Sequence, residues 1–227
     1  FWFNWMQEIE THLNFVDNLY ECPHKKYKFD CLLGTQTHHR MFIQNKILQH
    51  DDRHQFLIGR NPIYDVGVEY IRGCHEETDD LFVYYNGNQK TQSPCVIPYL
   101  VYNNAWFTIV AETTGSGNPF YTEKTGKALL GKRLFVLFGC QNHLKHLKEI
   151  GFKTFGHVID ESYDTIEDDD KRYEAAWQQV EYLLPADPIE IYKKVKPVLE
   201  HNHKHFMSKS WTQGTYQMIK DISGCHG

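Results

Sequence analysis

Two hydrophobic rhythms share this chain: apolar residues at helical spacing, and short continuous apolar runs of the kind that buried strands carry. Trp5, Ile9, Leu13, Val16 and Leu19 predict an amphipathic helix over residues 5–20. Tyr27-Lys28-Phe29-Asp30-Cys31-Leu32-Leu33 then reads as a buried strand ending at Gly34. Thr37 or His38 opens a helix through Met41, Ile43, Ile47 and Leu48, and Gln55-Phe56-Leu57-Ile58-Gly59 is a second strand. That order is a β-α-β unit, the building block of a parallel sheet. Residues 60–95, rich in Gly, Asn, Asp and Tyr, read as loops around one short strand, Leu81 to Tyr85. Pro98 suits the first turn of a short helix. Next come an apolar strand from Trp106 to Ala111, a helix from Thr122 to Leu130 and a strand from Arg133 to Gly139. A short helix from His143 to Ile150 is stopped by Gly151. After the acidic stretch Asp160 to Asp170 a helix runs to Leu184, and beyond Pro185 and Pro188 a last helical region reaches Phe206.

Strands alternating with helices predict an α/β, Rossmann-like fold with a mainly parallel sheet flanked by helices. Phe29–Leu33, Trp106–Ala111 and Leu134–Phe138 are its expected central strands, buried on both faces. The expected organisation is an N-terminal helical segment over 1–26, the α/β domain over 27–184, and a C-terminal helical tail over 185–227 that packs on it.

Composition narrows the function classes. A chain of 227 residues with formal charge −5 has no overall basic field, so it does not suggest non-specific nucleic-acid binding. It contains no run of about eighteen apolar residues of the sort that crosses a bilayer, and no membrane partner is expected. The opening Phe1-Trp2-Phe3-Asn4-Trp5-Met6 lacks the basic flank and small-residue cleavage site of a secretory signal. Six scattered cysteines with no CxxC pair read as reduced thiols, so a cytoplasmic location is expected.

The candidate chemistry lies in Ile109-Val110-Ala111-Glu112-Thr113-Thr114, followed after a variable loop by Phe120-Tyr121-Thr122-Glu123-Lys124-Thr125. Thr122 is a natural N-cap, and Glu123 falls in the first turn, where the helix dipole favours a carboxylate. A helix N-terminus beside a strand end offers backbone N–H groups to phosphate, and Lys124 adds a cation there. Glu123 has the alternative of accepting from ribose hydroxyls. Other polar clusters read as solvated faces. His201 and His205 share a helix face but lack the Glu of a zinc-hydrolase helix, and the acidic run fits no calcium-loop register. No metal and no cofactor are expected.

The segment resembles the donor-binding stretch of the α1,3-fucosyltransferases, in which a strand ending in Phe-Glu-Asn leads to Tyr-x-Thr-Glu-Lys, a helix and a strand ending in Gly. Ala111-Glu112-Thr113 stands for the first piece, with Thr113 where the family carries Asn, and Phe120-Tyr121-Thr122-Glu123-Lys124 for the second. The upstream unit Leu32-Leu33-Gly34-Thr35-Gln36-Thr37-His38-His39-Arg40 resembles the family's strand, polar turn and helix-opening Arg, which places that Arg on the donor phosphates. A guanidinium suits bidentate contact with phosphate oxygens. The resemblance covers roughly residues 27–184 and implies the donor half of a two-domain (GT-B) glycosyltransferase. It further implies that Arg40, Glu112, Thr113, Thr122, Glu123 and Lys124 bind a nucleotide-diphosphate sugar, which serves as donor to an acceptor and through a catalytic base that the sequence does not name. Gly151-Phe152-Lys153-Thr154-Phe155 with Asp160-Glu161-Ser162-Tyr163-Asp164 is similar to small proteins of tailed phages and marine bacteria, which implies a viral or bacterial origin. The competing expectation is a non-catalytic nucleotide- or sugar-binding module, or a phage interaction protein that keeps the fold alone.

Overall fold

A computed structural model describes residues 25–33, 36–59, 69–71, 84–86, 89–91 and 99–208. The helix expected over 5–20, Gly34 and the end of the C-terminal tail lie outside the described residues. In chain order the elements are β1 (Tyr27–Leu32), α1 (His38–Gln49), β2 (Phe56–Gly59), β3 (Glu69–Ile71), β4 (Tyr84–Asn86), β5 (Gln89–Thr91), α2 (Tyr99–Asn104) and β6 (Ala105–Ala111). They continue with α3 (Glu123–Leu130), β7 (Phe135–Phe138), α4 (His143–Glu149), α5 (Asp169–Leu183) and α6 (Pro188–Ser208).

The main sheet has the order β3-β2-β1-β6-β7, and every pairing in it is parallel. The α/β, Rossmann-like architecture with C-terminal helices is therefore present. Two expectations are corrected. Residues 60–95 hold more than one strand: β3 extends the sheet beside β2, and β4 pairs with β5 as an antiparallel hairpin. Three-residue strands are too short to display a period, so the pattern concealed them. The strand over Leu134–Phe138 stands at one end of the described sheet rather than in its middle. All four residues of β7 are nonetheless buried: Phe42 and Tyr173 pack on Phe138, and Phe155 packs edge-on against Phe135.

One face of the sheet packs on α1 and α5. There Phe56 stacks on Trp177 with ring centroids 5.9 Å apart, and Phe42, Phe138 and Tyr173 pack mutually. The opposite face receives α2, α3 and α6. Asp187 accepts from the Ile189 N–H and Pro188 begins α6, so that proline starts a helix, where its missing donor is harmless. Asn202 then clamps the chain at Lys153, accepting from its N–H at 2.8 Å and donating to its carbonyl at 2.9 Å. The neighbouring histidines are tied down as donors: His201 to the Gly151 carbonyl, His203 to that of Leu130 and His205 to that of Ile150. The acidic run is also structural at its ends. Asp160 caps a 3-10 turn over Glu161–Thr165, and Asp168 caps α5.

One polar network crosses this otherwise apolar face. Asp30 of β1 and Arg133, just before β7, form an ion pair at 3.0 Å with both side chains fully removed from solvent. Thr108 of β6 donates to Asp30 Oδ2 and accepts from Arg133 Nε. Arg133 further donates to the carbonyls of Tyr102 and Ala105. The guanidinium thus stitches β1, β6 and the α2–β6 junction together. Arg133→Met is expected to cost about 3–5 kcal/mol, because it leaves the Asp30 carboxylate buried without its counter-ion. Denaturant unfolding monitored by circular dichroism measures it, and a loss below about 1 kcal/mol contradicts that role.

Candidate functional site

Strand order locates the crevice. From β1 the chain moves outward through β2 to β3, then returns to β6 on the other flank of β1. Successive crossovers therefore diverge between β1 and β6, and α1 and α3 leave toward opposite faces. This is the topological switch point of an open α/β sheet, where ligands bind beyond the strand C-termini. A cavity of about 320 Å³ opens there. Its wall includes Leu32 and Leu33 from the end of β1, Val110 and Ala111 from the end of β6, and Asp30 and Thr108 further down the strands. Arg40, Thr113, Glu123, Lys124 and Lys127 complete its polar lining.

Four of the residues expected at the site therefore meet in one cavity although Arg40 is more than seventy positions from the rest: Arg40, Thr113, Glu123 and Lys124. Arg40 is almost fully buried in the first turn of α1, and its Nη2 donates to the carbonyls of Ala111 and Glu112 at 3.3 and 2.9 Å. These bonds hold the guanidinium against the end of β6. His39 beside it donates from Nε2 to the same Glu112 carbonyl at 2.7 Å, and burial holds its imidazole below the usual pKa. Lys124 Nζ lies 2.7 Å from Glu123 Oε1 and 3.2 Å from Thr113 Oγ1. Burial opposes ionisation of Glu123, but the hydrogen bond and charge of Lys124, with Lys127 behind, outweigh it and hold the carboxyl below its ordinary range.

Glu112 and Thr122 are placed differently. Glu112 is completely buried, outside the cavity lining, and its carboxylate faces the start of α3. It accepts from the backbone N–H groups of Thr113, Thr122 and Thr125 and from the hydroxyls of Thr122 and Thr125. Thr122 is the N-cap, with Oγ1 accepting from the Lys124 N–H. The helix N-terminus expected to meet a phosphate is thus occupied from within by a carboxylate of the chain itself. An anion in the cavity meets fixed cationic side chains instead: Arg40, Lys124 and Lys127 against two carboxylates, Asp30 and Glu123.

Asp30, Lys127 and Thr125 are the site residues that sequence reasoning passed over. Asp30 had a signal, a carboxylate between Phe29 and Cys31 in a largely apolar strand, and Lys127 another, one helical turn beyond Lys124. Thr125 had none, since its partner depends on tertiary packing. Near the end of β7 a second buried polar pair, Cys140 Sγ and His143 Nδ1, lies 3.6 Å apart. Burial pushes the thiol up to about 11 and the imidazole down to about 4, so both are neutral near pH 7. Among the described residues no cluster of three or more His, Cys, Asp or Glu side chains is arranged to hold a metal ion, and no helix is long and apolar enough to cross a membrane.

Glu112→Gln turns one acceptor end into a donor facing other donors. It is expected to destabilise the fold by about 2–3 kcal/mol, the scale of an unsatisfied buried polar group. Thermal and denaturant unfolding test this, and wild-type stability in the variant would show that Glu112 does not hold α3 in place. No protein-family model, curated protein or solved structure matches this chain.

Proposed function

We propose that the cavity binds a nucleotide-diphosphate sugar and that the protein is a glycosyltransferase-like enzyme transferring that sugar to an acceptor. The observation that carries this reading is the meeting of Arg40, Thr113, Glu123 and Lys124 in one cavity at the switch point. Their convergence is what the resemblance to the α1,3-fucosyltransferase donor segment requires. The chemistry is consistent with it. Sugar transfer develops negative charge on the departing nucleoside diphosphate, and preorganised cations in a cavity stabilise that charge. Lys124 and Arg40 supply two such cations, and Lys127 a third. Glu123, kept ionised by Lys124, is suited to accept from vicinal ribose hydroxyls.

Isothermal titration calorimetry with a panel of nucleoside diphosphates and nucleotide sugars tests the reading, and absence of binding across the panel removes it. A donor-hydrolysis assay on the best ligand then separates an enzyme from a binding module. Lys124→Ala is expected to weaken nucleoside-diphosphate binding by about 1.5–3 kcal/mol, as loss of a charge-assisted hydrogen bond does. Glu123→Ala is expected to act selectively: affinity for the nucleoside diphosphate falls, while inorganic pyrophosphate, which has no ribose, binds as tightly or more tightly. Equal losses for both ligands would place Glu123 away from the ribose.

A further inference from the structure

Asp30 carries an oxygen that the fold leaves unused. Its Oδ2 is committed to Thr108 Oγ1 at 2.9 Å and Arg133 Nη2 at 3.0 Å. Its Oδ1 is buried and has no hydrogen-bond partner. A buried acceptor in that state is costly, and such groups in native structures generally await a ligand or an ordered water. Asp30 is part of the cavity wall, together with Thr108, Leu32 and Val110. It lies deep in it: Thr108, its partner on β6, is three residues before Ala111, whose carbonyl anchors Arg40. At strand rise that places floor and rim about 10 Å apart, the reach of a sugar ring and the phosphate it is attached to.

We infer that Asp30 forms the sugar subsite of this cavity, its Oδ1 accepting a hydrogen bond from a ring hydroxyl of the bound donor while the diphosphate lies toward Lys124 and Arg40. This role rests on the nucleotide-sugar reading and gives the ligand a direction. A carboxylate between apolar side chains selects a group that brings a proton donor. It rejects a phosphate, which would bring a second negative charge. The cationic rim has the opposite preference. A ligand with an anionic end and a polyhydroxyl end satisfies both, and inverting it satisfies neither.

The charged and titratable groups around Asp30 are Arg133 before β7, Lys25 before β1, the adjacent Cys31 of β1, Tyr102 of α2 and Lys127 of α3, with the Thr108 hydroxyl from β6. Burial raises the carboxyl to about 6, against the lowering effects of Arg133, Thr108 and Lys25. The test follows this group directly. In protein carrying carbon-13 at aspartate carboxyls, with Asp30 assigned by through-bond correlation, its midpoint is measured alone, with a nucleoside diphosphate and with the matching nucleotide sugar. A hydroxyl donating to Oδ1 favours the ionised form, so the nucleotide sugar is expected to lower the midpoint by about one unit, a tenfold change, and the diphosphate to leave it in place. The paired replacement Asp30→Asn with Arg133→Gln, which removes both buried charges together, is expected to reduce nucleotide-sugar affinity about tenfold and nucleoside-diphosphate affinity less than about twofold. A midpoint unmoved or raised by a bound nucleotide sugar, or equal losses for both ligands, makes Asp30 the counter-ion of Arg133 alone and overturns its role. Absence of binding by the wild-type protein is a different failure, that of the nucleotide-sugar reading itself.

Discussion

The geometry around the cavity depends on the two ends of one residue. The Glu112 carboxylate gathers the start of α3, and the Glu112 carbonyl receives His39 and Arg40 from the start of α1. Both crossovers that border the switch point are therefore referenced to the same position at the end of β6. A buried carboxylate is tolerated only when its lone pairs are filled, and here backbone N–H groups and hydroxyls fill them. The separation between the two helix starts then follows from covalent geometry within residue 112. Arg40 and Lys124 face one space because each is held against that residue or its immediate neighbour Thr113.

This arrangement changes how the cavity handles charge. The dipole of α3 is neutralised at its origin by an internal anion, so the helix itself contributes little positive potential to the cavity. What remains is side-chain charge, and side-chain charge can exchange partners. Lys124 rests on Glu123. On the reading proposed above, an entering diphosphate would compete with that carboxylate for the ammonium and release Glu123 to another donor on the ligand. Until then the ion pair holds both groups at the cavity wall.

Much of the framework was legible because its signals are local. Thr122 as N-cap, the apolar runs of β1, β6 and β7, and the helical spacing of α1 each depend on residues close in sequence. Convergence of Arg40 on Lys124 was also readable, since parallel strand–helix units place their turns on one sheet edge. The direction of Glu112 was not. Residue type and spacing identify a carboxylate at a strand end, but whether it faces a ligand or turns back onto a helix ten positions later is decided by packing. Asp30 was missed for a related reason. Its apolar surroundings assign it to the core, and its partner Arg133 is 103 residues away. Strands β3, β4 and β5, with three residues each, offer too few positions for any pattern.

The direct pairing of β1 with β6 has a consequence for how this chain can vary. Asp30 and Thr108 touch although 78 positions separate them, and the ladder between their strands fixes the floor of the cavity without reference to the intervening stretch. Closing a longer connection costs only about 0.6 kcal/mol for each doubling of its length. Insertions or replacements between β2 and α2 can therefore accumulate while the wall formed by Asp30, Thr108, Arg40 and Lys124 keeps its shape. The fold thus uncouples the wall from the chain that leaves and returns to it: the β1–β6 ladder holds the one, and the other can take new length and new surface.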